Sequence, residues 1–242
     1  MRDYTAETEN RIVFIRKTLE QSGARGVIYG NSGGKDCALV GVLCKLACDN
    51  TVGLIMPCGS KRNYGEDADD AAAVAEQYNI ETRTVDLGGA FDEMKRALGA
   101  VSQLSGTAVS NIAPRLRMAA LYAAAAGENR LVAGTGNKSE RYMGYFTKWG
   151  DGAFDFNPIA DLTATEVYEF LRHLGAPRKI IEKAPSAGLF DGQNDEDDMG
   201  VTYKSIDEFL LFGTCPAEDM EIIKRYHSAS GHKRTPPPVY GE

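Results

Sequence analysis

Apolar positions along this 242-residue chain follow two alternating rhythms. Residues 5 to 22 place Ile12, Ile15 and Leu19 at helical spacing among Glu, Arg and Lys until Gly23 breaks the pattern, which predicts an amphipathic leading helix. The short run Gly26-Val27-Ile28-Tyr29-Gly30 then predicts a buried strand, and Ala38 to Cys48 returns to helical spacing. Thr51 to Met56, closed by Pro57, predicts a second strand, and the alanine-rich stretch from Asp67 to Tyr78 a helix. Glu81 to Leu87 alternates as a third strand. Residues 90 to 127 are largely helical, with Ala108 to Ala126 as one alanine-rich helix, and Arg130-Leu131-Val132-Ala133-Gly134 is a fourth strand. Thr163 with Glu166 three residues on forms a capping box for a helix to Leu174, which Gly175 terminates. Two short helices follow near 205 to 212 and 216 to 230.

Strands that alternate with helices of this length require right-handed crossovers. The expected fold class is therefore α/β, a doubly wound parallel sheet with helices on both faces, Rossmann-like, in one domain spanning residues 1 to 242. Ligands in such sheets sit at the carboxyl ends of the strands. Residues 185 to 200 are polar, acidic and glycine-rich, too poor in apolar surface to build a core, and predict a mobile lid near 186 to 199. The tail from 231 to 242 is basic at Gly231-His232-Lys233-Arg234 and then stiffened as polyproline II by three prolines.

Charge narrows the partners. Lys and Arg number 27 against 34 Asp and Glu, a net −7, which argues against a general nucleic-acid binder. No apolar run approaches membrane-spanning length, so no membrane is expected. Five cysteines with no CxxC pair, and no secretory apolar segment near the N-terminus, point to a reducing, cytoplasmic setting. Cys44 and Cys48 share a helical face, and with no ligand cluster around them core packing is the expected role.

The chemistry concentrates first at Gly30-Asn31-Ser32-Gly33-Gly34-Lys35-Asp36-Cys37, between the first strand and the helix it opens. Gly33 and Gly34 let backbone N–H groups approach an anion, and phosphate is the expected one. The Walker spacing fails, because Gly30 is one residue too close to Lys35 and Asp36 stands where Ser or Thr is required. A carboxylate beside a phosphate cradle is repulsive unless a cation bridges them, which implies Mg²⁺ between Asp36 and a nucleotide. The loop closely resembles the SGGxDS loop of the ATP pyrophosphatases, which implies AMP transfer from ATP. A second block, Gly134-Thr135-Gly136-Asn137-Lys138-Ser139-Glu140, follows the fourth strand. A third, Gly144 to Asp155, packs cations, carboxylates and glycines into twelve residues.

Taken in order, SGGKDC, GTGNKSE, GYFTKWGDG and GHKRTPPP resemble the ammonia-dependent NAD synthetases over nearly the whole chain. The resemblance implies an adenine nucleotide α-hydrolase-like fold. It also implies a ligase that adenylates nicotinic acid adenine dinucleotide with ATP and lets ammonia displace AMP to give NAD. It further implies that Gly30 to Cys37, Thr135 and Ser186 bind ATP, and that Asp36 and Glu140 hold Mg²⁺. Arg115, Lys148, Asp155, His232 and Lys233 would hold the dinucleotide. Asp151 is the candidate for orienting or deprotonating the incoming ammonium, with Lys148 as its catalytic neighbour. A homodimer is expected through the alanine-rich helix. Two positions depart from the family pattern: Cys37 replaces a serine, and Ala164 replaces a lysine that meets the ATP phosphates. Lys35 is the candidate to supply the missing charge. The amidase domain of a glutamine-dependent enzyme has no counterpart here, so ammonia is expected free or from another protein. Another adenylating enzyme with the same loop, or an inactive nucleotide sensor, remains open at this point.

Overall fold

The computed structural model describes residues 2–60, 64–183 and 194–241. Its centre is a four-stranded parallel sheet of β1 (Gly26–Gly30), β2 (Thr51–Ile55), β3 (Glu81–Thr84) and β4 (Arg130–Ala133), in the order β3-β2-β1-β4. The chain therefore reverses direction across the sheet between β1 and β4, and that switch point is where a ligand crevice forms. The third strand is shorter than its apolar pattern predicts. Residues beyond Thr84 still run alongside β2, with the Val85 N–H on the Ile55 carbonyl and the Leu87 N–H on the Pro57 carbonyl, each at 2.9 Å.

Side-chain alternation along β1 explains the two covered faces. Val27 and Tyr29 enter one core with α1 (Tyr4–Ser22), α2 (Lys35–Ala47), α3 (Glu66–Gln77) and the later helix α8 (Ala164–Leu174). Ile28 points the other way, where Val52, Leu54 and Val132 meet Ala125 of α6 (Ile112–Glu128). Tyr29 is fully buried, and a Cβ on Gly41 would fall 2.3 Å from its hydroxyl oxygen, so the glycine in α2 makes room for the ring. Its hydroxyl has no hydrogen-bond partner among the described residues.

The helical stretch between β3 and β4 is three helices rather than one continuous run. These are α4 (Gly88–Gly99), α5 (Gly106–Ser110) and α6. The expected helix over Ala108–Ala126 is broken at Asn111, because Pro114 carries no N–H to give the Ser110 carbonyl. Neither α4 nor α5 buries a residue, and Met94, Leu98 and Val101 stand exposed.

After β4 come α7 (Lys138–Met143), α8, α9 (Arg178–Glu182), α10 (Asp195–Met199), α11 (Tyr203–Phe212), α12 (Ala217–Ala229) and α13 (Gly231–Arg234). The capping box on Thr163 and Glu166 forms as the sequence predicts, and Gly175 ends α8 in the left-handed region. A second apolar cluster, with Met143, Ala164, Met199, Val201, Tyr203, Ile206 and Ile223, joins these helices beside the sheet. The basic part of the tail, before the prolines, is a turn of helix, tied down by Lys233 on the carbonyls of Gly144 and Phe146 at 2.8 and 2.7 Å. No helix among the described residues is long and apolar enough to cross a membrane.

Candidate active site

Strand β1 delivers the chain into residues 31–34. Asn31 is buried, its backbone N–H on the Leu54 carbonyl at 2.8 Å and its side-chain amide on the Ala71 carbonyl at 3.2 Å. Gly33 has φ +74°, and a Cβ there would fall 2.2 Å from the Asp67 carbonyl oxygen, so only glycine lets the loop pass α3. Helix α2 then opens on Gly34 with no side chain capping its first N–H groups. Those groups and the helix dipole make a seat for an anion. Ser32 Oγ lies 2.8 Å from Cys37 Sγ, so the cysteine keeps a polar link to the loop. Burial raises the Cys37 thiol above its ordinary range and keeps it neutral.

Two carboxylates meet beside this seat through a residue that the motif reading did not single out. Asn137, fully buried, caps α7: its side chain accepts the Glu140 N–H while the Glu140 carboxylate accepts the Asn137 N–H, each at 3.0 Å. The same Asn137 donates its amide to Asp36 Oδ1 at 3.0 Å. The Asn-x-x-Glu spacing of a capping box was the available signal. Burial and then Asp36 push the Glu140 carboxyl well above its ordinary range. Lys35 lies between these groups and two tyrosines, Tyr168 of α8 and Tyr203 of the second cluster. Its Nζ is 2.5 Å from Asp36 Oδ2 and stands over the rings of Tyr168 and Tyr203. Burial alone would lower the Lys35 ammonium, but Asp36 and Glu140 outweigh it and raise it.

The loop, Asp36 and Glu140 line one end of a cavity of about 1250 Å³, which also takes in Gly30, Thr135 and Lys183. Asp151 and Lys233 line it as well. Asp151 accepts the Thr147 N–H at 2.9 Å, and although the cavity leaves it open to solvent, the surrounding protein holds its carboxyl above the ordinary range. Burial lowers the Lys233 ammonium, and Asp151 partly restores it.

Four expected substrate residues do not line the cavity. Arg115, exposed on α6, reaches the Lys148 carbonyl at 3.4 Å, and Lys148 Nζ donates to the His232 carbonyl at 2.7 Å. The three form a chain outside the lining, beside Trp149, whose φ of +61° is strained for a bulky residue. Asp155 is drawn into the sheet edge, where its Oδ2 accepts the Val132 N–H at 2.7 Å and its Oδ1 the Tyr122 hydroxyl at 3.2 Å. Ala164 is buried at the start of α8, its N–H on Ser139 Oγ at 3.1 Å. Ser186 and residues 186–193 of the expected lid lie outside the described residues. Residues 195–199 are the short helix α10, with Asn194 as its cap and Asp195 buried against the hydroxyls of Tyr145 and Tyr203.

Magnesium suits this donor set. Asp36 and Glu140 offer hard oxygens, both tied to one asparagine, and a magnesium ion held there would take the rest of its ligands from water or from bound phosphate. Among the described residues no group of three or more His, Cys, Asp or Glu side chains offers a fuller cage.

Comparison with known proteins gives the family. Residues 7–237 match the model of the NAD synthase family. An NH(3)-dependent NAD(+) synthetase from Carboxydothermus hydrogenoformans is 46% identical over 98% of each chain. Among solved structures, an NMN synthetase from Francisella tularensis superposes with a TM-score of 0.93 at 36% identity, covering 100% of both chains. An NH3-dependent NAD synthetase from Campylobacter jejuni superposes with a TM-score of 0.79 at 30% identity, covering 99% of both. With these matches spanning almost its whole length, the chain belongs to the NAD synthase family.

Proposed function

We propose that the protein amidates the nicotinate carboxylate of nicotinic acid adenine dinucleotide with ammonia, at the expense of ATP, to give NAD. The observation that carries this reading is the single cavity that joins the glycine loop and its carboxylate pair to Asp151 and Lys233. A substrate carboxylate oxygen attacks the α-phosphorus of ATP, and the bond to the β-phosphate oxygen breaks with release of pyrophosphate. The ammonia nitrogen then attacks the acyl carbon, and the C–O bond to AMP breaks.

The chain's residues divide this work. The loop N–H groups and Thr135 hold ATP, and Lys35 faces its phosphates. Asp36 and Glu140 hold Mg²⁺, which when bound supplies charge neutralisation on the phosphates. Asp151 accepts a proton of the incoming ammonium, and its raised carboxyl suits a base that must also release that proton. Lys233 faces the acceptor. Arg115, Lys148 and His232 complete the acceptor site in a homodimer formed over α4 to α6, whose exposed apolar residues support that interface. The five free cysteines support a reducing, cytoplasmic setting. The test is product analysis: pyrophosphate release that depends on the dinucleotide, and AMP with NAD formed one to one only when ammonia is added.

A second reading concerns the acceptor alone. The superposition on the Francisella tularensis NMN synthetase, at TM-score 0.93, favours nicotinic acid mononucleotide in place of the dinucleotide. The placement of Arg115, Lys148, Asp155 and His232 outside the cavity lining supports a shorter acceptor. Comparing kcat/KM for the two acceptors decides between them.

A further inference from the structure

Lys35 has a more fully built seat than any role in phosphate contact demands. It is the first residue of α2, it is 7% exposed, and it faces the nucleotide end of the cavity. Its ammonium is 2.5 Å from Asp36 Oδ2 and 5.6 and 5.5 Å from the ring centroids of Tyr168 and Tyr203. Two aromatic faces and one carboxylate therefore hold a cation beside the carboxylates that Asn137 brings together. Asp36 has both oxygens engaged, Oδ1 by the Asn137 amide and Oδ2 by Lys35. A divalent cation that takes Asp36 Oδ2 as a ligand meets the Lys35 ammonium already on that oxygen, and like charge sets the two in competition. Asn137 is fixed by the cap of α7, so the flexible lysine stem is the one that yields.

The charges give the displacement an order. With both carboxyls ionised, as a metal requires, Asp36, Glu140 and Lys35 sum to one negative charge, and a divalent cation alone would leave the buried group with one positive charge. A triphosphate brings several negative charges to the same place. Its oxygens offer the ammonium a new partner and the metal its missing ligands.

We propose that the Lys35 ammonium is the resident counter-cation of the Asp36–Glu140 pair, that it excludes divalent metal from the free protein, and that it passes to the triphosphate when nucleotide and metal enter together. This rests on the reading that the pair holds Mg²⁺. It makes Lys35 a positioning residue that sets the order of binding.

The test uses Mn²⁺ as probe, with free Mn²⁺ followed by its paramagnetic resonance signal, in the full chain without nucleotide and with the α,β-methylene analogue of ATP. Lys35→Met and Lys35→Gln remove the charge with different side-chain polarity, and near-ultraviolet circular dichroism verifies that each is folded. Both neutral variants are expected to bind Mn²⁺ at least tenfold more tightly than the wild type without nucleotide. Lys35→Arg, which keeps the charge, is expected to stay near the wild type. With the analogue present, the wild type is expected to gain a Mn²⁺ site that Asp36→Asn loses. If that site appears but the neutral variants bind Mn²⁺ no better than the wild type without nucleotide, the counter-cation role is overturned and the metal assignment stands. If the analogue brings no Mn²⁺ site that depends on Asp36, the metal assignment falls and the proposal with it.

Discussion

At the nucleotide end of the cavity Asn31, Lys35 and Asn137 are buried, and Asp36 and Glu140 are each fixed by named donors. On the side proposed for the acceptor, α4 and α5 bury nothing, and Arg115, Lys148 and His232 touch one another through backbone carbonyls outside the cavity lining. On the proposed reading, one chain completes the part of the site that would handle phosphate and leaves the part for the acceptor open. Phosphate chemistry needs backbone N–H groups and carboxylates held in register, which a sheet and two helix N-termini supply locally. An acceptor with its own ribose and base needs surface, and a second copy can provide it.

The largest expected effect breaks the nucleotide end. Asp36→Asn and Glu140→Gln should each lower turnover at least a hundredfold with the fold intact, because each removes charge stabilisation that is preorganised for the phosphates. Near-normal turnover in either variant would refute the assignment of the pair. Next comes the acceptor end. Ala119, Ala123 and Ala126 lie exposed at helical spacing on α6. Ala123→Glu should convert a dimer into a monomer by sedimentation and lower kcat/KM for the acceptor about tenfold or more, while ATP affinity stays within about twofold. Equal losses on both substrates would show that the two ends are not separable.

A smaller effect tests how firmly α3 is held against the loop. Asp70 presents no surface, yet it lies near the molecular edge, sealed by the lysine stems of α9 and its end: Lys179 at 2.5 Å and Lys183 at 2.6 Å. Burial works against its charge, but the two lysines outweigh it and lower the carboxyl below its ordinary 3.8. A lowered folded value means that the stabilisation is present above pH 3.8 and is lost as pH falls through the folded value. Lys179 stands in solvent, which screens its share, so most of the effect comes from Lys183. Asp70→Asn should cost about 1–3 kcal/mol at neutral pH and flatten the acid limb of a urea-melt series. An unchanged acid limb would remove this pair from the account.

The same contrast explains what the sequence made legible. The four strands, the glycine loop and the Thr163 cap follow from short-range rules, namely apolar runs, a glycine pair between a strand and a helix, and a capping box, and each stands close to its expected place. The short helices α7, α9, α10 and α13 are too short to hold themselves together, and tertiary contacts make them, as when Lys233 pins the tail to Gly144 and Phe146. Asp155 shows the same limit: nothing in its motif says that the Val132 N–H claims its carboxylate. Asn137 was readable from its spacing to Glu140, but its bond to Asp36 spans 101 residues and belongs to the fold alone.

The smallest effect, and the sharpest test of how self-sufficient the nucleotide end is, concerns Ala164. The resemblance implies a phosphate-binding lysine there, and in this chain the position is buried one helical turn before Tyr168, in the apolar cluster that contains Tyr203. Those two tyrosines are the ones that flank the Lys35 ammonium. An alanine at 164 therefore leaves the space beside the rings to Lys35, and two lysines would compete for it with like charge. Three outcomes follow if the two positions serve one triphosphate. Lys35→Ile should weaken ATP binding by about 1–3 kcal/mol, the range for a lost charge-assisted hydrogen bond. Ala164→Lys alone should gain nothing and lower the melting temperature, because it adds an ammonium to a seat already filled. The double variant should recover much of the ATP affinity and of the stability, giving a coupling of about 0.5–3 kcal/mol in the cycle. Strict additivity in ATP affinity would mean that Lys35 and position 164 serve different groups, and the nucleotide end would then need a phosphate-binding cation from elsewhere.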